Sequence, residues 1–298
     1  MSRLKLLCAA KINLSLDVTG KLPNGYHTLD SIFQSVSVYD TLTLTVTDGE
    51  GIELACETPG VPCDESNLAW KAAQAYLDAA NVRKHVAITL EKGIPSGAGM
   101  GGGSADAAGV LWGLNELLSG GFSNEALRRI GVKLGADVPF ILLGGTALAR
   151  GIGEELKPLS PLPESFKFVI VKGEESVSTP AAYKAIDTLG EDTPHPDTAG
   201  VLWAVETQDE ERLAEKCANL FEYAVPCEDV QRAEERLQAM GALAAVMTGS
   251  GAAVFGIFPM KTPGEQLEGI ADTLRQEFTF AQAAHPVESA FVILEREN

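Results

Sequence analysis

The chain has 298 residues, 45% hydrophobic and 21% charged, a balance that supports a large packed core, leaves room for two domains and excludes a disordered polymer. Its 41 acidic and 23 basic side chains give a formal net charge of −18, which argues against a nucleic-acid partner, because a phosphate backbone is held mainly by clustered Lys and Arg. Five scattered cysteines without a C-x-x-C pair argue against both a metal site and a disulfide framework.

The opening MSRLKLLCAAKINLSLDV carries two early cations, but its apolar run over 6–10 is shorter than a signal h-region and is followed by Lys11 and Asn13. No stretch is long enough to span a membrane, and the odd, scattered cysteines fit a reducing cytoplasm best. Ile12, Leu14, Leu16 and Val18 alternate with Lys11, Asn13, Ser15 and Asp17. That alternation predicts a strand with one buried and one polar face, and it puts Lys11 and Asn13 on the same side. A turn at Leu22-Pro23-Asn24-Gly25 leads to a strand region over 32–38 and to the alternating Leu42, Leu44 and Val46. A helix is expected over 70–80 and a strand around Val86, Ile88 and Leu90.

The next stretch, IPSGAGMGGGSADAA, crowds five glycines between residues 97 and 103 and then enters a helix marked by Ala107, Leu111, Leu114 and Leu118. Glycine at this density fits a backbone that must approach a ligand or take positive φ. A strand-to-helix turn suits phosphate, whose oxygens accept hydrogen bonds from the open N–H groups of a helix N-terminus. A Walker A loop is excluded, because aligning its glycines on Gly97 and Gly102 puts Gly103 where the lysine belongs. A dinucleotide fingerprint fits Gly97, Gly99 and Gly102 literally, but the second strand and its acid are missing. Leu127, Ile130 and Leu134 mark another helix after Ser123 instead. A flexible linker is the bland alternative, opposed by the immediate amphipathic helix.

That second helix stops at Gly135, and a strand is expected over Thr146–Arg150. LKPLSPLPES, with Pro158, Pro161 and Pro163, is the best linker candidate. Beyond it come a strand over 168–171, helices near 180–188, 209–224 and 228–240, strands over 243–247 and 252–258 around TGSG, a helix over 264–277 and a strand over 290–294. EDTPHPDTAG reads as an exposed loop. The whole is an α+β pattern.

Taken one at a time, the polar residues have plain roles: Asp137 as a loop or capping aspartate, Lys11 as a solvated strand lysine, His27 as a surface residue, Tyr183 as helix packing, TGSG as a hairpin turn. Three segments together, AAKINLSLDV with GYH, the glycine stretch, and MTGSGAAVFGIF, resemble the GHMP kinases. With LGADVPF and GGTALARGIGE, the similarity extends to the branch that phosphorylates 4-diphosphocytidyl-2-C-methyl-D-erythritol. It implies a two-domain GHMP kinase fold of the α+β class with a deep cleft between the domains. Residues 1–160 would form the N-terminal domain with the ATP loop, and residues 161–298 the C-terminal α+β domain. It also implies ATP as phosphoryl donor, Mg²⁺ entering as the ATP complex with no metal site of the chain's own, and a cytidine diphosphate-linked methylerythritol as acceptor. The enzyme would work as a monomer or homodimer, without nucleic acid or membrane.

By the same resemblance Lys11 and Asp137 form the catalytic pair, the carboxylate taking the acceptor's proton while the lysine favours the alkoxide. Pro95, Ser96, Gly97, Ala98, Gly99, Met100, Gly101, Gly102, Gly103, Ser104 and Ala105 would bind ATP. Ala105 departs from the family's usual second serine, which puts a hydroxyl contact to phosphate or Mg²⁺ in doubt. Asn13, Tyr26, His27, Thr179 and Tyr183 would bind the acceptor: Tyr26 and Tyr183 would stack on the base, and His27 would read its edge. Asn67 and Lys92 would reach the adenine, and Gly249, Ser250 and Gly251 would border the cleft. Competing readings are another GHMP kinase, for mevalonate, homoserine or a sugar, and a nucleotide-binding module without catalysis. GYH argues against the first, since those acceptors carry no base, and Lys11 with Asp137 against the second.

Overall fold

The computed structural model describes residues 1–297. It begins with two long strands, β1 (Ser2–Lys21) and β2 (His27–Thr47), paired antiparallel around the Leu22 to Gly25 turn. Their register shifts between Ala9 and Ala10, between Asn13 and Ser15, and between Val18 and Gly20. Such bulges bend and twist a long ribbon so that it can serve more than one layer. The expected polar face of β1 is not a solvent face, because Lys11, Asn13 and Ser15 are all buried.

β3 (Gly51–Cys56), not anticipated from the sequence, runs parallel to β4 (His85–Glu91) and is joined to it through α1 (Leu68–Ala80). Then come α2 (Gly102–Leu117), α3 (Asn124–Gly131), α4 (Val138–Leu143), β5 (Thr146–Arg150) and β6 (Glu155–Pro158). β5 pairs antiparallel with β2 and with β6, so the expected linker starts inside a strand.

A second sheet follows from β7 (Lys167–Lys172), after which α5 (Thr179–Ile186), α6 (Thr198–Thr207) and α7 (Glu210–Lys216) lead to the short β8 (Ala218–Asn219) and α8 (Phe221–Ala224). The helix expected over 209–224 is thus broken at Cys217. β8 pairs with β1, which positions Asn219 to hold the TGSG turn through bonds to the Met247 and Gly249 carbonyls. The end of the expected EDTPHPDTAG loop is the start of α6, capped by Asp197, whose carboxylate accepts from the Gly200 amide.

α9 (Glu228–Ala239), β9 (Ala244–Met247), β10 (Ala253–Phe258), α10 (Gly264–Leu274) and β11 (Phe280–Ala284) complete an antiparallel sheet of order β11-β7-β10-β9. β12 (Phe291–Glu297) leaves that sheet and pairs antiparallel with β1. A division at 160/161 therefore separates strands that share a sheet, because the C-terminal strand closes the edge of the N-terminal one. The main core runs from the first sheet across α1, α2 and α4, and Phe168 and Phe255 of the second sheet join it. A second cluster packs α9 and α10 on the other face of the second sheet. Among the described residues no helix is long and apolar enough to cross a membrane.

Candidate active site

The glycine stretch links β4 to α2 and forms one wall of a cleft of about 920 Å³. Gly97, Gly99 and Gly101 have φ of 61°, 72° and 73°, in the region where L side chains are disfavoured. Gly99 shows a second need for glycine: a Cβ there would lie 2.2 Å from the Thr248 carbonyl oxygen, and a Cβ on Gly249 would lie 2.5 Å from the Gly99 carbonyl oxygen. The loop and the TGSG turn thus meet backbone on backbone. Loop carbonyls are consumed by protein: Ala252 N–H donates to Gly97 (3.2 Å), Ala253 N–H to Ala98 (3.2 Å) and Lys11 N–H to Met100 (3.0 Å). The amides at the start of α2 have no helical acceptor, and Gly102, Gly103 and Ser104, which carry them, line the cleft at the positive end of the helix.

Residues 95–104 all line the cleft, whereas Ala105, in the first turn of α2, is buried in the core. The missing serine hydroxyl therefore belongs to a position turned away from the cleft.

β1 and the N-terminal end of α4 bring Lys11 and Asp137 together, with Nζ 3.8 Å from Oδ2. Asp137 stands at the N-cap of α4, but its side chain makes no capping hydrogen bond and is 31% exposed toward the cleft. Lys11 is buried; loss of hydration lowers its pKa, and the Asp137 charge opposes that shift. Its Nζ donates to Asn13 Oδ1 at 2.8 Å and sits 5.3 Å from the centre of the Phe33 ring. Asn13 in turn accepts from the Gly249 amide (3.1 Å) and donates to Ser31 Oγ (2.9 Å). With its amide oxygen already shared, Asn13 positions Lys11 and the TGSG turn. A Cβ on Gly101 would lie 3.3 Å from Lys11 Cγ and 3.5 Å from Asp137 Oδ2, so the loop passes directly over the pair.

In the same cleft His27 and Tyr183 are stacked, with ring centres 5.0 Å apart and planes at 20°, and Tyr183 meets Phe221 in a T at 5.0 Å. Tyr183 therefore does not stand as the free opposite face of a base sandwich: His27 covers it. Burial and the nearby Asp137 charge hold its hydroxyl up at about 12, so it stays protonated. Tyr26 is 60% exposed at the rim, and Thr179 shares a hydrogen bond of 2.9 Å with Ser250 on the cleft wall. Asp187, which the sequence reading missed, accepts from His27 Nε2 at 2.7 Å and also binds Lys21. Its spacing of four from Tyr183 on α5 was the available signal, since i and i+4 share a helix face.

The expected adenine contacts stand differently. Asn67 caps α1 by accepting from Ala69 N–H (2.8 Å) and donates to the Pro62 carbonyl, so its side chain is committed and does not line the cleft. Lys92 reaches the cleft wall, but its ammonium is held between Asp40 and Asp106. Gly249 and Ser250 border the cleft; Gly251 lies behind them.

The model for the GHMP kinases N terminal domain matches residues 67–145, and the model for the GHMP kinases C terminal domain matches residues 201–278. The chain belongs to the GHMP kinase family. This GHMP kinase is 41% identical over 268 residues to a 4-diphosphocytidyl-2-C-methyl-D-erythritol kinase of Lachnoclostridium phytofermentans, covering 89% of this chain and 91% of the relative. It is 39% identical over 291 residues to the kinase of the same name from Desulfitobacterium hafniense, covering 96% and 97%. A crystal structure of 4-(cytidine 5'-diphospho)-2C-methyl-D-erythritol kinase superposes with a TM-score of 0.78 at 34% identity, over 96% of this chain and 99% of that one. Leishmania major mevalonate kinase, with a TM-score of 0.71 at 18% identity, shares the fold. As a GHMP kinase the chain is a phosphotransferase with ATP as donor and an alcohol group as acceptor.

Proposed function

We propose that this kinase transfers the γ-phosphoryl group of ATP to the 2-hydroxyl of 4-diphosphocytidyl-2-C-methyl-D-erythritol, a step of the non-mevalonate route to isoprenoid precursors. One observation carries the reading. The glycine loop, the Lys11–Asp137 pair and the His27–Tyr183 aromatic pair all line a single cleft, so phosphate donor, reacting hydroxyl and base can be held together in it.

Phosphoryl transfer asks the protein mainly for alignment and charge stabilisation. The amides of residues 99–104 donate hydrogen bonds to the phosphate oxygens, and the loop's fastening to the TGSG turn keeps them still. Asp137 accepts the proton of the attacking hydroxyl as the P–O bond forms. Lys11 stabilises the developing alkoxide, and Asn13 fixes its ammonium. Among the described residues no cluster of three or more His, Cys, Asp or Glu side chains could hold a metal ion. Near the loop the cleft offers one carboxylate, Asp137, and the hydroxyls of Ser96 and Ser104, which fits a Mg²⁺ ion that would take most of its ligands from phosphate and water. When bound with ATP, such an ion neutralises charge on the β- and γ-phosphates. All five cysteines are free thiols, which supports a cytoplasmic setting.

The test is an ADP-release assay with the cytidine substrate, free methylerythritol phosphate, mevalonate, homoserine and galactose. The cytidine compound is expected to give the highest kcat/KM. A higher value for mevalonate, homoserine or galactose would assign the enzyme to a different acceptor, and no turnover with any of them would favour a nucleotide-binding module.

A further inference from the structure

We propose that Asp187 fixes the tautomer of His27 and thereby makes this site choose a cytosine over a uracil base. The inference rests on the acceptor proposed above. His27 Nε2 lies 2.7 Å from Asp187 Oδ1, and Lys21 binds the other carboxylate oxygen. Hydrogen bonds from His27 and from Lys21 hold the Asp187 carboxyl below its ordinary range. At neutral pH it is a carboxylate and can only accept, so the hydrogen between it and His27 belongs to Nε2. A neutral imidazole with its hydrogen on Nε2 presents a bare lone pair at Nδ1.

Nδ1 has no hydrogen-bond partner among the described residues and is not sealed from solvent, and His27 lines the cleft. The ring cannot easily turn to offer a different atom, because it is buried, stacked on Tyr183 at 5.0 Å and tied to Asp187. A fixed acceptor discriminates between the two pyrimidines in the simplest way. Cytosine carries an amino donor at position 4, where uracil carries a carbonyl acceptor. Cytosine's amino group completes a hydrogen bond to Nδ1, whereas uracil's oxygen would set two lone pairs against each other. Asp187 touches neither the base nor the reacting atoms in this scheme; it is a positioning residue at the C-cap of α5 that acts through a histidine at the start of β2.

The experiment compares kcat/KM for the cytidine substrate and its uridine counterpart in the wild type, Asp187→Asn and Asp187→Ala, with KM for ATP as a second readout. The wild type is expected to prefer cytidine by at least about tenfold. Asp187→Asn, whose amide can donate to Nε2 and release the hydrogen to Nδ1, should lower that preference by about tenfold or more. Asp187→Ala should lower it as well, and both should keep KM for ATP within about twofold of wild type. A cytidine preference that survives in both folded variants overturns the proposal, because a merely structural aspartate would lower both rates together. A wild type that treats the two bases alike also overturns it while leaving the acceptor reading intact. Turnover of neither compound sinks both. Should the variants fail to fold, nitrogen-15 NMR of the wild-type histidines decides the matter: a hydrogen on Nε2 of His27 is expected, and a hydrogen on Nδ1 refutes it.

Discussion

The Lys11–Asp137 pair makes a quantitative demand that a double-mutant cycle can meet or refuse. The perturbations are Lys11→Met, Asp137→Asn and their combination, all of which keep side-chain volume nearly constant. The two charges lie 3.8 Å apart; Lys11 is buried, and Asp137 is 31% exposed. At that separation two unit charges interact by about 4 kcal/mol at an effective dielectric near 20 and by about 1 kcal/mol in bulk water. A pair with one buried and one wet partner falls between these limits. Asp137→Asn should lower kcat by at least about a hundredfold, the scale of general-base effects. If the lysine acts through the carboxylate and the alkoxide it generates, the double mutant should be less impaired than the product of the singles by about fivefold to a thousandfold, the kinetic equivalent of about 1 to 4 kcal/mol. The assay is steady-state ADP release at saturating ATP, with circular dichroism to confirm folding. Losses that combine additively to within about 0.5 kcal/mol would falsify the idea that the two residues work as one unit.

Gly99→Ala should raise KM for ATP by at least about tenfold and lower Tm by several degrees, because its Cβ would meet the Thr248 carbonyl at 2.2 Å on a backbone with φ of 72°. Gly103→Ala, whose Cβ finds only Leu68 Cδ1 at 3.6 Å, should keep wild-type stability, and equal Tm losses in the two would refute the packing argument. Tyr26→Ala should raise KM for the acceptor by about fivefold to a hundredfold while sparing KM for ATP, since base stacking contributes about 1 to 3 kcal/mol. An unchanged acceptor KM would remove Tyr26 from the base site.

Burial holds Glu222 at about 8 and Glu234 at about 7, against an ordinary 4.5, so the folded chain keeps protons that the unfolded chain loses first. Stability should therefore fall as pH rises from about 4.5 through about 8, by a few kcal/mol at most. Glu222→Gln, which keeps the acceptor for the Met247 amide, should flatten that decline; a wild-type Tm that climbs over this range would reverse the sign.

Local pattern carried the elements whose hydrophobic period matches their burial. α1, α2, β4 and β5 lie within a few residues of their expected positions because each presents a regular apolar face to the main core, and β10 does so because it is an unbroken apolar run buried between the two cores. It failed where long-range pairing sets the structure. β3 and β11 are strands because β4 and β7 lie beside them. The 209–224 segment breaks at Cys217 because Ala218 and Asn219 must pair with Ser15 and Leu16. The same distinction separates Ala105, which a motif can place in a loop but only packing can turn into the core, from the neighbouring Ser104 on the cleft wall.

By itself the sequence determined the chemistry on offer: a phosphate loop without a Walker lysine, one lysine and one aspartate in the family's motifs, and an aromatic–histidine pair beside a turn. These are legible because they depend on residue type and on spacing within a few residues. The tertiary structure alone decided which groups meet. It set Lys11 beside Asp137, put the Gly99 backbone on that of Gly249, covered Tyr183 with His27, and joined Asp187 to a histidine 160 residues away. Contacts of that kind follow from the path of the whole chain, with β1 serving the first sheet, Lys11 and the TGSG turn at once, and no local pattern in the sequence encodes such a path.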